Sequence, residues 1–534
     1  MPMVPTVRKI RAVLLAGMLS AALSVSGLAT HASADTTAQQ SASQIVADMG
    51  AGWNLGNQLE ASTDGYPSET AWGNPAVTQA LVDKVKAAGF NTIRIPVSYL
   101  RSIGSGPDYT INSSWLDRIQ EVVNYAYNRG MYVVLNIHGD GYKSVPYSWL
   151  ICDASNQTTI KAKYQKVWQQ IASRFQDYDQ RLIFESMNEE FDGQYGNPTQ
   201  PCYSNINSYN QIFVDTTRRS GGNNGSRWLL VPGWNTNIDY TAGDYGFVVP
   251  TDNHRSPSIP SNEQRIMISV HYYAPWDFAG EENGTITQWG PAATNPSRTS
   301  SWGQEDYMDS QLKKMYDRFV VRGYPVVVGE YGSIDKSSFD SSNNRYRADF
   351  AHTMVATAKK YGAATIYWDN GFNGQYGFGL FNRNANTVTQ SGIIGAIMSA
   401  IGGSGSATTY EAEVSPALCT GTIDSNWSGY SGTGFCNGNN TVGAYAQFTV
   451  NASAAGTATL RVRFANGVAT ARPASLIVNG STAQAPSFEG TGAWTTWVTK
   501  TLTVTLNAGG NTIRFNPTTA SGLPNIDYLD VTTP

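Results

Sequence analysis

The sequence predicts two folded domains in series, an α/β domain of the (β/α)8 TIM-barrel type followed by a β-sandwich. Three observations carry this. Eight short apolar runs alternate with helical periods over about 360 residues, as a barrel of parallel strands and covering helices requires. The run Gly402-Gly403-Ser404-Gly405-Ser406 then breaks the pattern with the composition of a flexible linker. Beyond it almost only period-two alternation remains.

The runs are Trp53–Leu55, Thr92–Pro96, Tyr132–Ile137, Leu182–Glu185, Trp228–Val231, Ile266–Val270, Val326–Gly329 and Thr365–Trp368. Each is short and apolar throughout, as strands buried on both faces are. Between them, Ile160, Tyr164, Val167, Trp168, Ile171 and Phe175 keep the spacing of one helix face. Met308, Leu312, Met315, Tyr316 and Phe319 do the same, and both stripes read as core. The unit between the fifth and sixth strands is irregular, with Pro250, Pro257 and Pro260. In the second domain Ala458–Phe464 and Leu502–Leu506 alternate strictly. Asn507-Ala508-Gly509-Gly510 leads into Asn511–Phe515, which reads as a hairpin, and Asn479-Gly480 marks another turn.

Residues 1–34 stand apart. Arg8, Lys9 and Arg11 precede the apolar stretch Ala12–Leu23, and Ala32-Ser33-Ala34 has the form of a cleavage site. This is the pattern of a secretory signal peptide and predicts an extracellular protein. Export permits disulfides. Cys152 and Cys202 fall in the first domain and Cys419 and Cys436 in the second, so separate domains leave 152–202 and 419–436 as the local pairing. The predicted boundaries are 35–401 for the barrel, 402–408 for the linker and 409–534 for the sandwich.

Charged residues make up 14% of the 534 residues, well below the roughly 25% of ordinary soluble domains. A net charge of -4 without clustered Lys and Arg argues against nucleic acid as a partner. No apolar run approaches the roughly 18 residues of a membrane span. The polar vocabulary is Asn, Ser, Thr, Gly and aromatics, which suits neutral, hydroxyl-rich ligands. Nothing in the sequence suggests more than a monomer.

In barrels of this type catalytic groups stand at the C-terminal ends of strands. Arg94, Asn136, His138, Asn188, Glu189, Glu190, His271, Tyr273, Glu330 and Trp368 hold such places. Two carboxylates facing each other across a barrel mouth are what glycoside hydrolysis needs. One must carry a proton and the other must be ionised, so their environments must separate their pKa values. Glu189 is expected to be the proton carrier, and Glu330, near Arg94, the ionised partner. No G-x-S-x-G, H-E-x-x-H or Walker-type loop occurs, and the reaction calls for no cofactor.

Residues 45 to 400 resemble glycoside hydrolase family 5. The resemblance runs through Gly52-Trp53-Asn54-Leu55-Gly56-Asn57, Glu69–Pro75, Phe90–Pro96, Asn136-Ile137-His138, Phe184–Glu189, Ser269–Pro275, Gly329–Gly332 and Tyr367–Gly371. It is similar in flavour to the branch of endo-β-1,4-glucanases that includes xyloglucan- and mixed-linkage-glucan-cleaving enzymes. The resemblance implies a retaining mechanism with Glu189 as acid/base and Glu330 as nucleophile, on a plant cell-wall β-glucan. Mannan or xylan are alternative substrates, and a catalytically silent wall-binding barrel is an alternative of another class. The resemblance also implies that Arg94 and Tyr273 orient Glu330, that Asn188 bonds a sugar hydroxyl, and that His138 and His271 bond substrate and support the carboxylates. Trp368 would stack on the sugar, with Trp72, Trp276, Trp302 and Phe372 as further platforms. Two positions depart from the family pattern: Gly139 stands where many relatives have a second His, and Glu190 where they have Pro. Glu190 is expected to face outward.

The region from Tyr410-Glu411-Ala412-Glu413 to Pro524–Asp530 resembles carbohydrate-binding modules of the family 6/35 type. That implies a structural Ca²⁺ held by Glu411, Glu413 and Asp530, hard oxygen ligands as calcium requires. Trp494 and Asn525 are the candidate sugar contacts of the module.

Overall fold

A computed structural model describes residues 40–402, 408–452 and 455–532. The signal-like segment and residues 403–407 of the linker lie outside the described residues. Gly402 ends a helix, Ser391–Gly402, and the next strand opens at Thr408.

Eight parallel strands close a barrel: β1 (Ala51–Asn54), β2 (Thr92–Ile95), β3 (Tyr132–Asn136), β4 (Leu182–Glu185), β5 (Leu229–Pro232), β6 (Ile266–Tyr272), β7 (Val326–Tyr331) and β8 (Ala363–Tyr367), with β1 pairing both β2 and β8. The sequence reading placed all eight, with ends displaced by up to two residues. Alternate residues fill the barrel. Val134, Ile183, Leu230, Met267, Val327 and Ile366 meet Ile45 and Met49 of the helix Ala42–Met49 in one cluster. Burying each such side chain is worth roughly 1.5–3 kcal/mol.

One strand breaks the alternation. Val327 points inward, so regular pleating would turn Glu330 outward. Instead Val328 pairs with Val270 and Glu330 with His271, leaving Gly329 as the extra residue of a β-bulge. The bulge restores an inward direction for Glu330 at the barrel mouth, which is where bulges are favoured.

The helical stripes hold with one exception. Ile160, Tyr164, Val167, Trp168 and Ile171 are buried on the helix Gln157–Arg174. On the helix Glu305–Arg318, Met308, Leu312 and Met315 are buried, but Tyr316 is exposed and packs at the rim against Tyr361. Among the described residues no helix is long and apolar enough to cross a membrane.

The second domain is two antiparallel sheets around a common core. One orders Gly421–Asp424, Phe435–Gly438, Asn525–Thr532, Gly456–Ala465 and Val498–Leu506, with Thr408–Glu411 added on Asn525–Thr532. The other orders Leu418–Cys419, Ala446–Ala452, Gly509–Pro517, Arg472–Val478 and Ser481–Gln484. The Asn479-Gly480 hairpin is present, with both residues at positive φ (50° and 83°). The expected hairpin at 507–510 is not. Val498–Leu506 pairs with Gly456–Ala465, and Gly509–Pro517 with strands of the opposite sheet. The turn is a corner between sheets, closed by the Asn511 side chain on Asn507. Both disulfides have the expected pairing, Cys152–Cys202 and Cys419–Cys436.

Candidate active site

The floor of the barrel mouth is a polar layer below the two candidate glutamates. Arg94 on β2 is wholly buried and spends its guanidinium there. Nε donates to Glu185 (2.7 Å), Nη1 to Glu330 (2.8 Å) and Asn54 (3.0 Å), and Nη2 to Asn188 (2.7 Å). Glu185 also accepts from Asn136 (3.0 Å) and Ser269 (2.7 Å). Burial works against the Arg94 charge, but Glu185 and Glu330 outweigh it and hold the guanidinium ionised. Arg94 thus holds Glu330 from behind the cleft wall, and Asn188, expected to bond a sugar hydroxyl, lies there too, its amide oxygen engaged by Arg94 and its amide nitrogen by the Tyr142 hydroxyl. Glu185 was not singled out from sequence. Its signal was available, since Ile183 and Glu185 share one face of β4.

His271 bridges the two glutamates at the rim. Its Nδ1 lies 2.6 Å from Glu189 and 3.6 Å from Glu330. One oxygen of each carboxylate lies within 4.8 Å of the other. Tyr273 donates to Glu330 (3.0 Å), as expected, and Tyr142 donates to Glu189 (3.3 Å), which sequence reasoning missed. Burial and the nearby carboxylate charges push both phenols well above their usual range, so both remain donors. Burial raises Glu189, but the bond and charge of His271 and the charge of Arg94 overcome it and hold this carboxyl below its ordinary value. Burial keeps Glu330 above its ordinary value, although His271 and Arg94 draw it down. Glu189 is thus drawn down and Glu330 pushed up in the free site, the reverse of the order expected from sequence.

Around this pair opens a cleft of about 650 Å³ lined by Trp72, His138, Tyr142, Glu189, His271, Tyr273, Trp276, Trp302, Glu330 and Trp368 among others. His138 stacks on Trp368 with ring centroids 6.0 Å apart and planes at 9°. Burial, with Arg94 and His271 nearby, holds His138 well below the usual imidazole range, so it stays neutral. Trp72, Trp276 and Trp302 are exposed along the cleft, whereas Phe372 is exposed outside its lining and Phe378 takes part instead. A Cβ at Gly139 would meet the Ser98 hydroxyl, which accounts for glycine after His138. Glu60, also missed from sequence, lines the cleft. Burial pushes it up to about 7 against bonds from the Asn57 and Gln58 amides. Glu190 does not face outward: it is 2% exposed and packs beneath the site.

In the sandwich, Trp494 packs over Gly467 and beside the Arg472 guanidinium, and Asn525 pairs with Ala465, so both candidates share one end of the fold. Glu411 and Glu413 flank Gly432. Glu411 accepts from Ser431 (2.8 Å) and Glu413 from the Thr433 amide (2.8 Å). The second Glu413 oxygen is buried without a partner. Burial, with Glu413, Asp527 and Asp530 nearby, raises Glu411. Asp530 is the exception: it accepts from Thr409 (2.7 Å), and among the described residues it joins neither glutamate in a cluster of metal-ligating atoms.

Residues 56–374 match the family model described as cellulase (glycosyl hydrolase family 5), and residues 417–533 match that of the carbohydrate binding module (family 6). Endoglucanase A of Paenibacillus barcinonensis is 66% identical over 396 residues, covering 74% of this chain and 99% of that protein. A family 5 xyloglucanase from Paenibacillus pabuli, solved with ligand, is 68% identical with a TM-score of 0.66, over 67% of this chain and 100% of that one. A broad-specificity endoglucanase from Bacteroides salanitronis is 38% identical with a TM-score of 0.63, over 68% of this chain and 95% of that one. The chain belongs to glycosyl hydrolase family 5 and carries a family 6 carbohydrate-binding module as its second domain.

Proposed function

We propose that the protein is a secreted, retaining endo-β-1,4-glucanase. The observation that carries the mechanism is the approach of Glu189 and Glu330 to within 4.8 Å. Retaining glycosidases hold their carboxyls about 5–5.5 Å apart, whereas inverting ones leave roughly 6.5–9.5 Å for a water. Glu330, oriented by Arg94 and Tyr273, attacks the anomeric carbon as Glu189 gives its proton to the departing oxygen. A glycosyl ester on Glu330 results. Glu189, now a carboxylate, takes a proton from water, whose oxygen displaces Glu330 with a second inversion. His138 and Trp368 flank the sugar beside the cleavage point, and the open cleft between Trp72 and Trp302 suits an internal stretch of chain.

The glucan reading rests on the P. barcinonensis endoglucanase, and xyloglucan joins it on the strength of the P. pabuli enzyme. The module, with Trp494 and Asn525 at one end, keeps the enzyme on plant cell wall and raises its local concentration. Its Glu411 and Glu413 would hold a structural Ca²⁺, whereas Asp530 is engaged by Thr409 instead. The unpartnered Glu413 oxygen supports this, because a hard cation satisfies such an atom. Secretion rests on the sequence pattern of residues 1–34.

Digestion of carboxymethylcellulose, lichenan, xyloglucan, mannan and xylan, with the product anomer followed by NMR, tests the reading. Glucans should be cut with initial release of the β-anomer. Cleavage confined to mannan or xylan overturns the substrate, and initial inversion overturns the mechanism.

A further inference from the structure

Glu190 is a carboxylic acid in a place where no cation meets it. Its side chain packs on the backbone of Gly141, so closely that a Cβ there would fall on the carboxyl. One of its oxygens is buried without a hydrogen-bond partner. Its main chain ties in one further segment: its amide turns back on the Asn188 carbonyl of its own loop (3.0 Å), and its carbonyl accepts from the Asn235 amide (2.9 Å) in the loop after β5. Three loops of the barrel mouth therefore meet at this residue.

We infer that Glu190 is a positioning residue for Glu189: its carboxyl is the wedge against Gly141 that sets Tyr142 on both Asn188 and Glu189. Gly141 closes the short 3-10 turn Gly139–Gly141, and Tyr142 follows it directly. The Tyr142 hydroxyl accepts from Asn188 and donates to Glu189, so the position of that turn decides where the acid's second oxygen is held. Removing the wedge lets the turn sink and carries the phenol off Glu189.

The groups facing Glu190 suit an uncharged acid. Asp140 stands on the same turn, Tyr142 follows it, Tyr164 comes from the helix Gln157–Arg174 and Tyr209 from the helix Cys202–Arg219. None of them is a cation. Burial, with the Asp140 charge opposite, pushes Glu190 well above the ordinary carboxylate range. Glutamine, equal in shape and uncharged, should therefore replace it.

The inference rests on Glu189 being the acid/base, and the test separates the two. kcat/KM is measured on a β-glucan, whose leaving oxygen needs a proton, and on 2,4-dinitrophenyl cellobioside, whose leaving group needs none. General-acid catalysis is worth about 10²–10⁴-fold, so Glu190→Ala should lose roughly tenfold or more on the glucan and little on the activated glycoside. Glu190→Gln should restore the glucan rate to within about threefold, well inside that window. Equal losses on both substrates, or a Glu190→Gln as impaired as Glu190→Ala, overturn the wedge. Glu189→Ala is the control: if it too loses equally on both substrates, the acid/base reading falls instead. Should Glu190→Ala fail to fold, Gly141→Ala presses on the same contact and must give the same split between substrates.

Discussion

Replacing Arg94 by Met removes the single cation between two buried carboxylates. Arg94 and Glu185 are wholly buried, and the Glu330 side chain is 7% exposed. Breaking a buried pair by removing one partner costs roughly 3–5 kcal/mol, because the remaining charge has neither water nor a partner. Glu185 keeps Asn136 and Ser269, and Glu330 keeps Tyr273 and His271, so about 4 kcal/mol at pH 7 is the expected loss of stability. Against a domain stability of roughly 5–15 kcal/mol the variant still folds at 25 °C. The sign with pH follows from linkage. Without Arg94 the folded-state pKa of Glu330 rises further above its unfolded value. The penalty is absent below the unfolded value and grows as pH climbs toward the folded one. Urea unfolding should therefore show a smaller loss at pH 5 than at pH 7. The acid limb of kcat/KM should move to higher pH by about one unit or more, each unit being about 1.4 kcal/mol of differential interaction. Arg94→Lys keeps the charge but cannot bond four acceptors at once, and it should fall between. An equal stability loss at both pH values, with an unmoved acid limb, would refute the reasoning.

Glu60 makes the fold itself pH-dependent. Its carboxyl is raised from 4.5 to about 7, so the stability it contributes is complete below 4.5 and is lost as pH rises through 7. Relative to Glu60→Gln, the wild type should lose up to roughly 3 kcal/mol across that window, and a constant difference would count against it. In the sandwich, bound Ca²⁺ at 100 times its Kd would add about 2.7 kcal/mol. Scanning calorimetry of the full chain should therefore show one transition falling on addition of chelator, and superimposable scans would exclude the site.

The barrel was legible because its strands are buried on both faces and read as unbroken apolar runs. The two glutamates were legible because they stand directly after such runs. What the sequence withheld depends on register and on loops. Regular alternation turns Glu330 away from the site, and only the bulge at Gly329 returns it. Tyr142 and Glu190 meet Glu189 through loop conformations that no periodicity encodes. In the sandwich, alternation tells which side of Val498–Leu506 and Gly509–Pro517 is apolar. It does not tell which sheet each joins, because both sheets present their apolar sides to one core.

The resting protonation order of the glutamates is opposite to what the first step needs, and the exposures show how substrate reverses it. Side-chain exposure is 29% for Glu189, 3% for His271 and 7% for Glu330. Glu189 alone draws on water in the free site. A sugar lying over it removes that water, and desolvation disfavours its charged form. Glu330 loses almost no water, and its bonds from Arg94 and Tyr273 lie on the protein side. The loss of water raises the Glu189 carboxyl toward its protonated form, while His271 remains its hydrogen-bond partner at 2.6 Å. On the proposed mechanism, substrate binding thus protonates Glu189 while leaving Glu330 ionised. The consequence is measurable, since kcat/KM reports the free enzyme and kcat the complex. The alkaline limb of kcat should lie at higher pH than that of kcat/KM, and in Glu189→Gln, which has no acid to load, the separation should vanish. Coincident limbs in the wild type would mean that substrate does not raise the Glu189 carboxyl and that Glu189 is already loaded in the free enzyme.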